Sequence, residues 1–361
     1  MNKTDGMNFA PKGKPRPVCG DGDFVFGAVG LAHGHIGGMC NGLMEAGGRL
    51  KWIYDEDKEK VAQYVKMYPG ARAARSEAEV LADKDVQLVA SAAVPSERCA
   101  LGVRVMDAGK DYFVDKAPLT SLAQLEAAKA AVARTGRKYA VYFSERLHCE
   151  AGVFAGQLIA DGAIGRVIQT IGMGPHRFNE KARPDWFFDR TRNGGILCDI
   201  GSHQIEQFMY YTGAQDAEIL SAQVANYAHP AYPGVDDFGD CTLRADNGAT
   251  GYFRVDWFTP DGLSAWGDGR TFILGTDGYI ELRKIIDFAR TTTGGHVFLA
   301  NQRTEEYIPV ENKVGTPFFG QLILDCLNRT ETAMTQSHAF KASELSIRAQ
   351  IIAEAAAGIQ R

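Results

Sequence analysis

The 361-residue chain lacks the features that mark secreted, membrane-spanning and nucleic-acid-binding proteins. No apolar run approaches the roughly 18 residues that a membrane span requires. The first 23 residues are polar, without the apolar core of a secretion signal. No basic block occurs and the formal net charge is -5, which argues against nucleic acid or an anionic membrane as a partner. We therefore expect a cytoplasmic protein in which residues 1–23 form a flexible N-terminal arm.

The cysteine pattern does not indicate disulfide bonds. The chain has seven cysteines, an odd number, and no CxxC pair. This pattern fits free thiols in a reducing compartment better than a disulfide framework. The length exceeds that of one ordinary small core, so we expect two domains.

The first part of the chain alternates short apolar runs with helical patterns. The apolar runs lie at 24–31, 50–54, 86–90, 112–114 and 139–143. Strands that are apolar throughout and alternate with helices predict a parallel sheet covered on both faces. We therefore predict a doubly wound Rossmann domain over residues 24–145.

The pattern changes after about residue 145. Asn247-Gly248 lies between two alternating runs and predicts a β-hairpin, and 275–278 predicts a second one. Two helical patterns, 318–327 and 342–357, end the chain. We predict an α+β domain over residues 146–361 with a large, mostly antiparallel sheet. Such a sheet with one uncovered face suggests a homodimer or homotetramer.

A dinucleotide-binding motif follows the first predicted strand. Its sequence is Ala32-His33-Gly34-His35-Ile36-Gly37, with Ala32 in place of the first glycine of GxGxxG. Glycine allows close approach of the backbone to a pyrophosphate, and a helix N-terminus offers free N–H groups. Asp55 ends the second predicted strand, where a carboxylate accepts from ribose hydroxyls and favours NAD over NADP. The alternative is a glycine-rich turn that binds no dinucleotide.

A metal site at His33 and His35 is not expected. Two histidines two residues apart, without a neighbouring cysteine or carboxylate, fall short of a ligand set.

The segment Asn193–His203 places Asp199 four residues before His203, at the start of a helical pattern. Residues four apart are neighbours on a helix, so the two side chains suit acid/base chemistry. The alternative interpretation is that Asp199 is only a helix N-cap and His203 only a polar helix residue.

Together with the motif at residues 32–37, two further segments resemble the Gfo/Idh/MocA family of glucose–fructose and inositol dehydrogenase-like oxidoreductases. One is Asp115-Lys116-Ala117-Pro118, where the family has Glu-Lys-Pro. The other is Asn193–Glu206, in which Asn193 and Glu206 replace a glycine and an aspartate of the family pattern. The resemblance runs from about Phe24 to the last helix.

The resemblance implies a role for each matching residue. Lys116 stabilises an alkoxide, His203 exchanges the hydroxyl proton, and Asp199 orients His203; all three contact substrate. Ala93 and Pro95 lie in the loop that passes the nicotinamide ribose, and Asp115 and Lys116 also border the cofactor. Four further side chains lie in loops that we expect to face the substrate: Arg146, His148, His176 and Trp186.

The predicted function is an NAD(P)-dependent dehydrogenase, with NAD favoured over NADP, that acts on a secondary hydroxyl of a sugar, inositol-like polyol or glycoside. Two alternatives remain open. One is a redox-assisted glycosidase that retains and recycles its NAD, and the other is a non-catalytic sugar- and dinucleotide-binding regulator. Fold analogy does not decide among the three.

Overall fold

The computed structural model describes residues 6–291 and 294–359, which form two compact units. The parallel-sheet unit contains Met7–Tyr142 and Thr316–Phe340. The mixed-sheet unit contains Gly6, Phe143–Gly315 and the chain from Lys341 onward. Within the described ranges, every helix is too short or too polar to cross a membrane.

The parallel-sheet unit has the predicted doubly wound architecture. Its six strands are parallel and lie in the order β3-β2-β1-β4-β5-β6. They are β1 (Val25–Val29), β2 (Arg49–Tyr54), β3 (Arg72–Ala73), β4 (Leu88–Ser91), β5 (Asp111–Asp115) and β6 (Tyr139–Tyr142). The helices that follow them are α1 (His35–Glu45), α2 (Lys58–Met67), α3 (Glu77–Ala82), α4 (Arg98–Asp107) and α5 (Leu122–Thr135).

Local sequence explains these elements well. Every residue of β1, β4 and β5 is buried, which accounts for the apolar runs that they contain. The Ser76 hydroxyl accepts from the Glu79 N–H to cap α3. Only β3 was not predicted, because its two exposed residues carry no apolar pattern.

Several residues of the predicted N-terminal arm contact α1. The N–H groups of Arg16 and Val18 donate to the carbonyls of Glu45 and Ala46 at the end of α1, at 3.0 and 2.9 Å. The side chain of Asn41 in α1 donates to the carbonyls of Ala10 and Pro11, at 3.3 and 3.2 Å. These contacts hold the arm along α1, whereas residues 1–5 of the prediction lie outside the described part.

The mixed-sheet unit has one eight-stranded sheet in the order β14-β13-β12-β11-β7-β10-β9-β8. All neighbours are antiparallel except β7 and β10, so the prediction of a mostly antiparallel sheet is confirmed. The strands are β7 (Val167–Pro175), β8 (Ala217–Ala225), β9 (Phe238–Ala245), β10 (Thr250–Asp256), β11 (Arg270–Gly275), β12 (Gly278–Arg283), β13 (His296–Asn301) and β14 (Glu305–Pro309). Both predicted hairpins form, with Gly248 at φ +87° in the β9–β10 turn.

Helices complete the two units. They are α6 (Ser144–Leu147), α7 (Glu150–Ala160), α8 (Arg190–Asn193), α9 (Ile196–Asp199), α10 (Gly201–Thr212), α11 (Phe318–Asn328) and α12 (Gln336–Ala356). Helix α10 packs on β7, and α7 packs on β12 and β13 over a core that includes Ile280, Leu282 and Val297. All seven cysteines are free thiols, as predicted.

The predicted second domain, residues 146–361, includes one segment that belongs to the other unit. Thr316–Phe340 belongs to the parallel-sheet unit, not to the unit that precedes it. Phe318 packs on Phe113 of β5 with ring centroids 5.8 Å apart, and Arg329 pairs with Asp111 at 2.6 Å. The helical period of 318–327 predicts α11 correctly but cannot show which sheet the helix covers.

Candidate functional site

The turn between β1 and α1 has the geometry of a dinucleotide-binding loop. Gly30 directly follows β1 with φ +78°, and a Cβ there would lie 2.7 Å from the Cβ of Ala93. The turn then reaches Gly34, directly before the first residue of α1. A glycine turn that opens a helix at the carboxyl end of the central strand is where doubly wound sheets bind nucleotides.

Gly34 makes an unexpected contact with the N-terminal arm. A Cβ on Gly34 would clash with the Asn8 side chain and would lie 2.7 Å from the carbonyl oxygen of Met7. Further along α1, a Cβ on Gly37 would lie 3.2 Å from the Cβ of Ala10. Gly34 and Gly37 are predicted to allow close approach of a phosphate. Because they have no side chain, they also leave room for residues of the arm.

Asp55 lies directly after β2, as the motif requires. Its carboxylate accepts from the N–H groups of Leu31 and Asp57, at 2.6 and 2.9 Å. The neighbouring Lys58 donates to the backbone carbonyl of Asp55 at 2.9 Å and lies over the Tyr54 ring. The glycine turn, the helix start and this acid together form a set of groups that fits an adenine dinucleotide.

His33, His35 and Asp115 come together in the parallel-sheet unit. The Nδ1 atoms of His35 and His33 lie 2.9 and 3.3 Å from the carboxylate oxygens of Asp115. All three side chains are buried. The premise that no carboxylate lies near these histidines was wrong, because β5 delivers Asp115 from 80 residues away.

The histidine–aspartate cluster has a close spacing that could hold a metal, with ligand atoms within 4.8 Å of one another. However, the Arg98 guanidinium donates to the same carboxylate at 3.1 Å, and both side chains are fully buried. A permanent cation at that distance opposes a divalent ion. We therefore assign the cluster to an ion-pair and hydrogen-bond network.

The pKa values in this cluster follow from its burial and charges. Burial lowers the pKa of His33 well below its ordinary value, and His35 adds to this effect while Asp115 opposes it. Burial alone would raise the pKa of Asp115, but the neighbouring His35 and Arg98 more than offset it, so the pKa is lowered. Asp115 is thus an ionised carboxylate held by Arg98.

Arg98 also fixes the segment that carries Lys116. Its guanidinium donates to the carbonyls of Asp115, Lys116 and Ala117, and its Nε donates to the Ala93 carbonyl at 2.7 Å. The peptide bond between Lys116 and Ala117 is cis, although alanine replaces the proline of the family pattern. The side chain of Lys116 is almost fully buried. One arginine, which the sequence analysis missed, therefore connects the Ala93 loop to Lys116.

Pro95 lies just beyond this connection. It begins the short 3-10 helix Pro95–Glu97 and is buried. Ala93 and Pro95 thus line the carboxyl end of β4, as expected for the cofactor loop.

Asp199 and His203 lie in the mixed-sheet unit. Asp199 ends α9 instead of capping the next helix, and no side-chain cap bond is present at the start of α10. Ile200 between them is helical, with φ -77° and ψ -38°, so the four-residue spacing still places both side chains on one helical face. His203 is only 1% exposed, and its ring meets the edge of Phe143 at a centroid distance of 6.2 Å.

A second polar cluster surrounds His176 in the same unit. The Glu145 carboxylate accepts from Lys284 Nζ at 2.6 Å and from Gln204 Nε2 at 2.9 Å. Its other oxygen lies 3.8 Å from His176 Nε2. The residues Glu145, Gln204 and Lys284 were not predicted, because they lie far apart along the chain.

The remaining residues that were predicted to face the substrate differ in the contacts that their side chains make within the protein. Arg146 pairs with Glu206 through two guanidinium nitrogens and lies 3.7 Å above the Tyr210 ring. These contacts occupy its guanidinium, so we omit it from the proposed substrate contacts. His148 is buried at the end of α6, and Trp186 is buried in the 3-10 helix Asp185–Phe188.

Comparisons with known proteins identify a matching family model and similar proteins. A family model described as the GFO/IDH/MocA C-terminal domain matches residues 154–281. A crystal structure from Erwinia carotovora atroseptica SCRI1043, of a protein provisionally assigned as an oxidoreductase, is 51% identical and covers 92% of this chain and 99% of its own, with a TM-score of 0.89. The scyllo-inositol 2-dehydrogenase (NAD(+)) of Bacillus subtilis (strain 168) is 25% identical over 262 residues, or 71% of this chain and 72% of that protein.

A more distant structure shows the fold alone. Levoglucosan dehydrogenase, in complex with NADH and levoglucosan, is 18% identical and covers 92% of this chain and 97% of its own, with a TM-score of 0.73.

Proposed function

We propose that this chain, which belongs to the Gfo/Idh/MocA family of oxidoreductases, transfers a hydride between a nicotinamide dinucleotide and a secondary hydroxyl of a sugar, polyol or glycoside. The observation that carries the proposal is Lys116, a buried lysine that the Arg98 guanidinium holds at the carboxyl end of β5. A doubly wound sheet binds ligands at that edge. The sugar and inositol substrates named for the relatives support the substrate class.

The proposed cofactor is NAD. The Bacillus subtilis relative is named for NAD(+), and the levoglucosan dehydrogenase structure contains NADH. In this chain Asp55 directly follows β2, where a carboxylate disfavours the extra phosphate of NADP. The start of α1, Gly34, Ala93 and Pro95 would complete the site. When bound, the nicotinamide ring supplies the hydride acceptor.

The protein groups supply proton transfer and charge. Neutral His203 accepts the hydroxyl proton at a ring nitrogen, and Asp199 on the same helical face orients it and stabilises its protonated form. The Lys116 ammonium stabilises the negative charge that grows on the substrate oxygen. These roles rest on the family resemblance and on the residue types present.

Two other functions make different predictions. A redox-assisted glycosidase would cleave a glycoside without net accumulation of NADH. A sugar- and dinucleotide-binding regulator would bind both ligands without turnover. The presence of Lys116, Asp199 and His203 favours the dehydrogenase over the regulator, and net formation of NADH separates it from the glycosidase.

The test is a substrate panel of aldoses, inositols and glycosides, each followed at the nicotinamide absorbance with NAD and with NADP. We expect NADH to form in a one-to-one ratio with oxidised product for at least one polyol. Cleavage of a glycoside without net NADH would instead favour the glycosidase, and binding without any turnover would favour the regulator.

We also propose a homodimer or homotetramer. Apolar side chains project from one face of the mixed sheet and are more than a third exposed: Ile171, Tyr252, Phe272, Leu274 and Tyr279. An apolar patch of this kind usually marks a contact surface. Sedimentation should therefore give a multiple of the chain mass, and Phe272→Asp should lower it, whereas an unchanged monomer mass in the wild type would contradict the proposal.

A further inference from the structure

Glu145 is a buried carboxylate with one unused oxygen. Its side chain is 5% exposed, and one oxygen accepts from both Lys284 Nζ and Gln204 Nε2. The second oxygen, Oε1, has no hydrogen-bond partner among the residues that the structure describes. A buried charged acceptor without a donor is costly, so its retention calls for a ligand.

The surroundings of this oxygen keep it negatively charged. Burial alone would raise the pKa of Glu145, but the charge of Lys284, and then those of His203 and His176 when protonated, lower it below its ordinary value. The Lys284 side chain is only 1% exposed, so this ion pair is shielded from solvent. Glu145 is therefore an acceptor and cannot donate.

Glu145 lies near the proposed base. Gln204, which follows His203 in α10, donates to the Glu145 carboxylate at 2.9 Å, and His176 Nε2 lies 3.8 Å from the unused oxygen. Trp257 and Trp266 contact the His176 ring at centroid distances of 5.6 and 4.6 Å. Aromatic rings thus pack on the histidine next to the unused oxygen, and polar groups among aromatic side chains suit a carbohydrate, whose ring alternates hydroxyl and C–H surface.

We propose that Glu145 accepts a hydrogen bond from a second substrate hydroxyl, adjacent to the hydroxyl that His203 deprotonates. The inference rests on the proposed dehydrogenase function and narrows its substrate to an uncharged vicinal diol. A sugar acid with its carboxylate at that position would meet the Glu145 charge and be disfavoured. Lys284 acts through Glu145 as a positioning residue.

The test asks whether a change at Glu145 and the removal of one hydroxyl from the polyol affect the binding affinity through the same contact. The affinity of the wild type and of Glu145→Gln is measured by calorimetry for myo-inositol and D-glucose, each beside analogues lacking one hydroxyl. Glu206→Gln is the matched control, because Glu206 is also buried and paired with an arginine in the same unit.

A hydrogen bond to a charged group contributes about 1.5–3 kcal/mol, which corresponds to roughly 10- to 150-fold in affinity. The wild type should lose about that factor for one deoxy analogue of a polyol that it binds. Glu145→Gln should lose most of this discrimination, whereas Glu206→Gln should keep it. Lys284→Met should make the affinity pH-dependent, because the pKa of Glu145 would rise.

Equal discrimination in Glu145→Gln and the wild type would overturn the inference, as would failure of the wild type to bind either polyol. Because calorimetry needs no turnover, these outcomes are separate from the substrate panel. A protein that reduces NAD but shows no coupling would leave the proposed function intact and refute only the role of Glu145.

Discussion

Arg98 provides the most direct test of how the parallel-sheet unit holds its functional segment. Its guanidinium contacts the Asp115 carboxylate at 3.1 Å, and neither side chain has any solvent exposure. Replacing Arg98 with Met would leave Asp115 as a buried charge without its permanent counter-ion. Removing one partner of a buried pair typically costs about 3–5 kcal/mol. We therefore expect Arg98→Met to lose about that much free energy of unfolding.

Arg104 on the same helix is a suitable control. Its side chain is 54% exposed and pairs with Glu77 at 2.6 Å. An exposed pair of this kind contributes about 0–1 kcal/mol, so Arg104→Met should be close to the wild type.

The assay is urea unfolding followed by circular dichroism. With an m-value of about 3 kcal/mol/M, the expected loss lowers the midpoint by roughly 1–1.7 M. Arg98→Lys keeps the charge but cannot contact three carbonyls at once, so it should also lower kcat through Lys116. If the free energies of unfolding of Arg98→Met and Arg104→Met differ by less than about 1 kcal/mol, the ion-pair argument is refuted.

Three further predictions concern the site. His203→Gln should lower kcat by about 10²–10⁴ while calorimetry shows near-normal cofactor affinity, and a normal kcat would mean that the histidine is structural. Asp55→Asn should narrow the preference for NAD over NADP in calorimetry, with Glu56→Gln as control; an unchanged ratio of affinities would show that Asp55 does not contact the ribose. The pKa of His33 is lowered by burial, so below about pH 6.5 the unfolded chain binds a proton that the folded chain refuses, and stability should fall by up to about 1.4 kcal/mol per pH unit. His33→Asn should flatten this slope in urea titrations at pH 7.5 and 5.5, and an equal slope in both proteins would contradict the assignment.

The sequence supports the architecture more fully than the site. Alternating apolar runs and helices predict the parallel sheet, and Asn247-Gly248 predicts a hairpin, because both signals are local. The dinucleotide turn and the Asp199–His203 spacing are also local signals. The structure places the turn directly before α1 and the Asp199–His203 segment at the start of α10.

Contacts between distant segments could not be predicted in this way. The pair formed by Glu145 and Lys284 joins residues 139 positions apart, and Asp115 reaches His35 across 80 positions. No periodic pattern in the sequence indicates which distant residues will pair. Arg98 is the first residue of α4, but only the fold shows which carbonyls it contacts.

The most direct test of the proposed hydride transfer uses a polyol carrying deuterium at its carbinol carbons. The purified protein is incubated with NAD and the best polyol of the panel, and the reduced cofactor is examined by mass spectrometry. The proposed mechanism predicts one deuterium in each NADH formed and a much lower rate with His203→Gln. Reduced cofactor without deuterium, or no reduction while a glycoside is cleaved, would contradict direct transfer from a substrate C–H bond to the nicotinamide.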